Sequence, residues 1–166
     1  MNISKAQSQS PASQSEAPTP EAVDKVPAGL LRRLAALTYD SVLLAGAIAI
    51  YAGIVVVLRS GAAVEPNTLW FSAGLGAIPA LFFCWFWTHG GQTLGMVAWR
   101  VHLEAPDGGP PELPRALLRY FAALLSLLPA GLGFIWALWD SERATWHDRI
   151  SGTRMYRSVP AKRSSA

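Results

Sequence analysis

Four residues carry the charges best placed to do chemistry: Arg33, Asp40, Asp148 and Arg149. Asp40 lies inside an apolar run that starts at Leu34, where an ionised carboxylate costs at least ~2.5–3.5 kcal/mol on insertion scales. A carboxylate there must find a counter-charge, meet water or take up a proton. It could bind a cation or a proton in a polar crevice, with Arg33 and Asp148 tuning its proton affinity. It could equally belong to a network that only locks the tail onto the helices. Arg33 precedes Asp40 by two helical turns and shares its stripe. The rise between them, about 10 Å, is too long for an ion pair within a straight helix. Their partners must come from elsewhere, and Asp148 and Arg149 are the candidates. Together the four would balance their charges.

Other reactive types are sparse. His89, His102 and His147 lack the i, i+3 or i+4 spacing that builds a metal site on one helix, so no metal is expected. His147 beside Asp148 could shuttle a proton near neutral pH. Cys84 is the only cysteine and allows no intramolecular disulfide. Gly90-Gly91 and Gly108-Gly109 read as turns rather than phosphate cradles, and no nucleophile elbow occurs. Neither enzymatic activity nor a cofactor is expected.

The elements that must position these residues are chiefly apolar. Of 166 residues, 51% are hydrophobic and only 15% charged, against roughly 25% charged in a soluble domain. Seven tryptophans suit a membrane interface, where the ring is buried and the N–H still reaches water. The net charge of +3 fits the asymmetry that orients membrane proteins better than nucleic-acid binding, for which no arginine-rich helix or aromatic pattern is present.

Residues 1–28 are rich in Ser, Gln, Pro and Ala without periodicity, and read as a disordered tail rather than a signal peptide. A first span covers 34–58 and a second 69–88, each long enough for the ~20 residues a crossing needs. Ala45, Ala49 and Gly53 form a small-residue stripe on the first, and Ser72, Gly76 and Ala80 on the second. Pro79 should kink the second. Val97–Glu104 alternates polar and apolar residues as a short strand would, and so does Thr153–Tyr156. If these pair, they make a small ribbon that tethers the tail. A third apolar region, Pro114–Trp139, is interrupted by Pro129-Ala130-Gly131-Leu132-Gly133. It is one kinked span, or two short helices over about 114–128 and 132–140.

Basic residues decide the topology. Arg32 and Arg33 precede the first span, Arg100, Arg115 and Arg119 fill the middle loop, and Arg143, Arg149, Arg154, Arg157, Lys162 and Arg163 follow the last apolar residues. Lys and Arg within ~15–20 residues of a span favour the cytoplasm. All three segments then lie inside, which needs an even number of crossings, and four are favoured. The expected fold is an all-α membrane protein: a polytopic helical bundle with two full spans, a Pro/Gly-broken helical hairpin and a short cytoplasmic β-ribbon.

Three segments resemble a known family. Arg33-Leu34-Ala35-Ala36-Leu37-Thr38-Tyr39-Asp40, then Gly91-Gln92-Thr93-Leu94-Gly95-Met96 with Arg100-Val101, then Thr145-Trp146-His147-Asp148-Arg149-Ile150-Ser151-Gly152-Thr153 are similar in kind and order to the motifs of the RDD family of small bacterial membrane proteins. The resemblance covers residues 28–157 and implies a membrane domain over 29–157, followed by a flexible tail at 158–166. The family's eponymous arginine and two aspartates correspond to Arg33, Asp40 and Asp148, with Arg32 and Asp140 as alternatives. A basic residue is common after the middle-motif glycine; Met96 stands there instead.

The resemblance implies a multi-pass protein of the bacterial inner membrane with both termini cytoplasmic. Transport has been proposed for the family, with cation–proton exchange for some members. The expectation is therefore transport of a small cation or proton through a polar site around Asp40. The alternative is a non-catalytic scaffold or accessory subunit. Expected partners are the lipid bilayer and either further copies of the chain, as a homo-oligomer, or other membrane proteins, with no nucleic acid.

Overall fold

The computed structural model describes residues 23–65, 68–129 and 131–160. Two helices, α1 (Leu30–Leu58) and α2 (Leu69–Gly90), are long and apolar enough to cross a membrane. At 1.5 Å per residue they measure about 43 and 33 Å. α1 starts four residues before the expected 34, because nothing between Gly29 and Leu34 disfavours helix. Arg32 and Arg33 are thereby drawn into its first turn. Ser60 (φ 53°) and Gly61 (φ 83°) turn the chain out of α1, and Gly91 (φ 67°) ends α2. Pro79 lies within a continuous α2. The two helices meet where Tyr51 stacks on Phe71 at 5.5 Å and its ring closes over Gly74.

After α2 comes a short helix, α3 (Leu94–Ala98), where the alternating pattern had suggested the start of a strand. Thr93 caps it, accepting from the Met96 amide at 3.2 Å. This local cap favours helix over the weaker period-two signal. The strand proper, β2, is Val101–Glu104, with Val101 and Leu103 buried and His102 and Glu104 facing outward.

α4 (Leu113–Leu127) is amphipathic and buries Ala116, Arg119, Ala122 and Ser126. The break falls at Pro129–Gly131, where Gly131 adopts φ 76°. α5 (Leu132–Ile135) and a 3-10 turn (Trp136–Leu138) then run at 109° to α4. The Pro/Gly-broken hairpin is thus a sharp bend with one long limb and one short one. The short limb, about 10 Å long, is held close because Gly133 lies directly on Ser126. α6 (Trp146–Ser151) follows, and the chain closes on β3 (Arg154–Pro160).

β3 is the middle of a three-stranded antiparallel sheet in the order β1-β3-β2. It pairs Leu103 with Met155 on one side and Val26 with Arg157 on the other. The outer partner β1 (Val23–Pro27) falls in the segment expected to be disordered. Its own sequence is too short and charged to declare a strand; pairing with β3 supplies the ladder that composition could not reveal. The rest of that tail, residues 1–22, and the C-terminal residues 161–166 lie outside the described residues.

Since β1 precedes α1 and β2 follows α2, the sheet brings both ends of the helix pair to one level. The core gathers there: Ala28, Ala36, Trp87, Met96, Val101, Leu103, Ala116 and Met155 pack together. Away from this end α1 and α2 are largely uncovered.

Candidate functional site

Asp148 is the centre of the most highly connected polar cluster. α6 starts with a capping box in which the Asp148 side chain accepts from the Thr145 amide at 3.0 Å and Thr145 caps in return. The same carboxylate takes two guanidinium groups. Arg33, from the first turn of α1, donates Nη1 to Oδ2, and Arg119, from α4, donates Nη1 to Oδ1 at 2.6 Å. Arg119 also reaches Thr153 Oγ1 at 2.6 Å and lies 5.3 Å over the Trp87 ring. Arg33 spends its other donors on the carbonyls of Ala28 (3.0 Å) and Arg143 (3.1 Å). Burial opposes ionisation of Asp148, but the charges of Arg119 and Arg33 outweigh it and hold the carboxyl well below the usual carboxylate range.

Asp40 occupies a second site. Its side chain is almost fully buried, and both oxygens are taken: Thr93 Oγ1 donates to Oδ2 and the Gly95 amide to Oδ1 at 2.8 Å. The middle motif explains the fit. A Cβ at Gly95 would overlap the Ala36 carbonyl oxygen and the Asp40 carboxyl, so only glycine lets α3 lie this close to α1. Gly91 supplies the left-handed turn, and a Cβ there would meet the Leu103 carbonyl. Met96, where the family often has a basic residue, packs in the core.

The four candidates of the sequence therefore do not form one cluster. Arg33 and Asp148 are in contact, Asp40 is held by Thr93 and Gly95, and Arg149 lies on the surface paired with Asp140. Depth along α1 is the reason: Asp40 lies two turns beyond Arg33, at the level where α3 packs instead of α6. Of the alternatives, Arg32 is half-buried at the surface, and Asp140 caps the Ala144 amide at 2.8 Å. That amide and Arg149 lower its pKa.

Arg119 and Thr93 are the residues sequence reasoning missed. Arg119 had counted only as a positive charge beside a span. The signal was its place in the stripe Ala116, Arg119, Ala122, Ser126, which marks the buried face of α4.

Between the two polar sites lies a cavity of about 150 Å³, reached by Asp40, Trp87, Arg119 and His147 and otherwise mostly apolar. Trp87 Nε1, Arg119 Nε and His147 Nδ1 have no hydrogen-bond partner among the described residues. Burial, reinforced by Arg119, pushes the His147 pKa down to about 3, so its imidazole is neutral. His89 stacks on Trp85 and His102 faces Glu104 at 3.0 Å. Among the described residues no group of three or more His, Cys, Asp or Glu side chains is arranged to hold a metal.

Compared with known families, the chain matches the model described as RDD family over residues 27–152. That span contains Arg33, Asp40, Thr93, Gly95, Arg119 and Asp148, and stops before β3. No curated protein and no solved structure matches the chain.

Proposed function

The chain belongs to the RDD family, and from that premise we propose that it is a non-catalytic membrane scaffold or accessory subunit that assembles through α1 and α2. The uncovered state of these two helices carries the reading. Only 11% of the apolar window of α1 and 6% of that of α2 is buried within the chain. At Gly53 and Gly76, from the two small-residue stripes, an added Cβ would meet nothing within 4 Å beyond the helix itself among the described residues. Small residues left open on a membrane helix permit close approach of another helix. The two buried carboxylates, by contrast, are engaged within the chain: Asp40 and Asp148 use both oxygens on their own fold. The basic residues around the sheet favour a cytoplasmic location for that end, with both termini inside an inner membrane.

The test is self-association in proteoliposomes, read by energy transfer between labelled copies. Wild type associates as its surface density rises. Gly53→Leu and Gly76→Leu each weaken association about tenfold, or ~1.4 kcal/mol. A wild-type protein that stays monomeric at every density overturns the homo-oligomeric form of the proposal.

One observation favours a second reading, transport of a small cation or proton. The cavity beside Asp40 and His147 contains polar atoms without partners. On that reading Asp40→Asn abolishes ion flux while leaving the fold intact, since its amide oxygen still accepts from Gly95 and Thr93 can turn its hydroxyl to accept. Absence of flux through the wild-type protein sinks it.

A further inference from the structure

A separate groove, of about 460 Å³, lies at the start of α1, and Asp40 does not line it. Three arginines from three parts of the chain line it: Arg32 in the first turn of α1, Arg143 before α6, and Arg157 in the middle of β3. Among the described residues no carboxylate lines it. The neighbouring cations are matched: Lys25 with Glu104, Arg149 with Asp140, Arg154 with Glu142. Arg32, Arg143 and Arg157 have no carboxylate in ion-pair range among the described residues. Arg32 makes only a 3.4 Å bond to the neutral Trp99 carbonyl.

Backbone geometry adds to the positive potential. α1 has no side-chain N-cap, and its first intrahelical donor is Arg33, to the Gly29 carbonyl. The amides of Leu30, Leu31 and Arg32 therefore have no partner within the helix, and all three residues line the groove. Arg143 Nη1 lies 3.8 Å from where a Gly29 Cβ would sit, directly over this helix end. The rim is apolar, with Leu31 83% and Leu138 63% exposed. Exposed leucines beside unpaired arginines mark the depth at which acyl chains give way to headgroups.

We propose that this groove binds the headgroup phosphate of an anionic phospholipid, with Leu31 and Leu138 against its acyl chains. Guanidinium forks match phosphate oxygens in pairs, and three of them exceed what a zwitterionic headgroup, with its own ammonium, can neutralise. The site goes beyond the assembly role, because only the first turn of α1 lines it, away from the small-residue stripes, and neither Arg119 nor Asp148 does.

The experiment is native mass spectrometry of the full chain released from vesicles of equal phosphatidylglycerol and phosphatidylcholine. Wild type retains phosphatidylglycerol in preference, about tenfold. The triple variant Arg32→Gln, Arg143→Gln, Arg157→Gln loses that preference, and Arg149→Gln, which removes a cation already paired, keeps it. Arg157→Gln alone, with heat resistance in detergent read with and without added phosphatidylglycerol, provides the same test should the triple variant fail to fold. Equal retention of the two lipids by wild type, or an undiminished preference in the variants, overturns the proposal. So does protection by millimolar inorganic phosphate equal to that by the lipid, which assigns the groove to a soluble phosphate compound.

Discussion

Asp148 and Arg149 are adjacent in the chain, and the structure assigns them very different weights. The Asp148 carboxylate is fully buried between Arg33 and Arg119, whose side chains are 6% and 1% exposed. Arg149 is 52% exposed and reaches one oxygen of Asp140. Replacing Asp148 with Asn keeps the shape and leaves an amide oxygen to accept from the Thr145 amide, so the start of α6 survives. It removes the countercharge from two buried guanidinium groups. Breaking a buried pair from one side costs ~3–5 kcal/mol, because the surviving charge stays desolvated. Arg149→Ala removes a half-exposed pair, for which ~0–1 kcal/mol is the ordinary loss. Unfolding in mixed micelles, followed by protease susceptibility, should separate the two by roughly 300-fold in the folded-to-unfolded ratio. Adding Arg119→Met to Asp148→Asn should cost less than the sum of the single changes, since it removes one of the stranded cations. The reasoning fails if Asp148→Asn costs under ~1 kcal/mol, or if the two changes simply add.

Gly95→Ala should lower stability by ~1–3 kcal/mol, because its methyl group meets a backbone carbonyl of α1 rather than a side chain that can swing away; Gly76→Ala, facing open space, is the control in the same unfolding measurement. Acid should weaken the closing motif in two stages. His147 has a folded pKa of about 3 against an ordinary 6.5, so the unfolded chain binds the extra proton between those values and stability falls as pH drops from 6.5 towards 3. The Asp148 pKa is depressed from 3.8, so its contribution is intact above that value and erodes below it. His147→Phe should flatten the first stage alone in a pH series of unfolding midpoints.

Much of the polar chemistry was legible by residue type. A carboxylate in an apolar run is rare enough to single out Asp40, and the positive-inside pattern drew attention to the start of α1. Asp148 could be named as a partner for Arg33, but the partner of Asp40 was not legible, because its contact with Thr93 joins distant parts of the chain. Depth along a helix decided these pairings, and depth depends on which short element packs where. Arg119 was hidden for a related reason. A charge near a span reads as a topology marker unless the small residues at its helical spacing are read as a buried face. β2 and part of β3 appeared as alternation, while β1 owes its structure to an edge that exists only after folding.

The position of β3 between β1 and β2 sets an order of events during synthesis. The ribosome delivers α1 and α2 to the membrane long before β3 emerges, and until then neither outer strand has a partner. Arg33 and Arg119 meanwhile wait without the carboxylate of Asp148. The nascent chain thus passes through a stage with two membrane helices in place and its polar end unassembled. A chain interrupted before residue 148 cannot leave that stage, and one interrupted before residue 154 still leaves both outer strands without their partner.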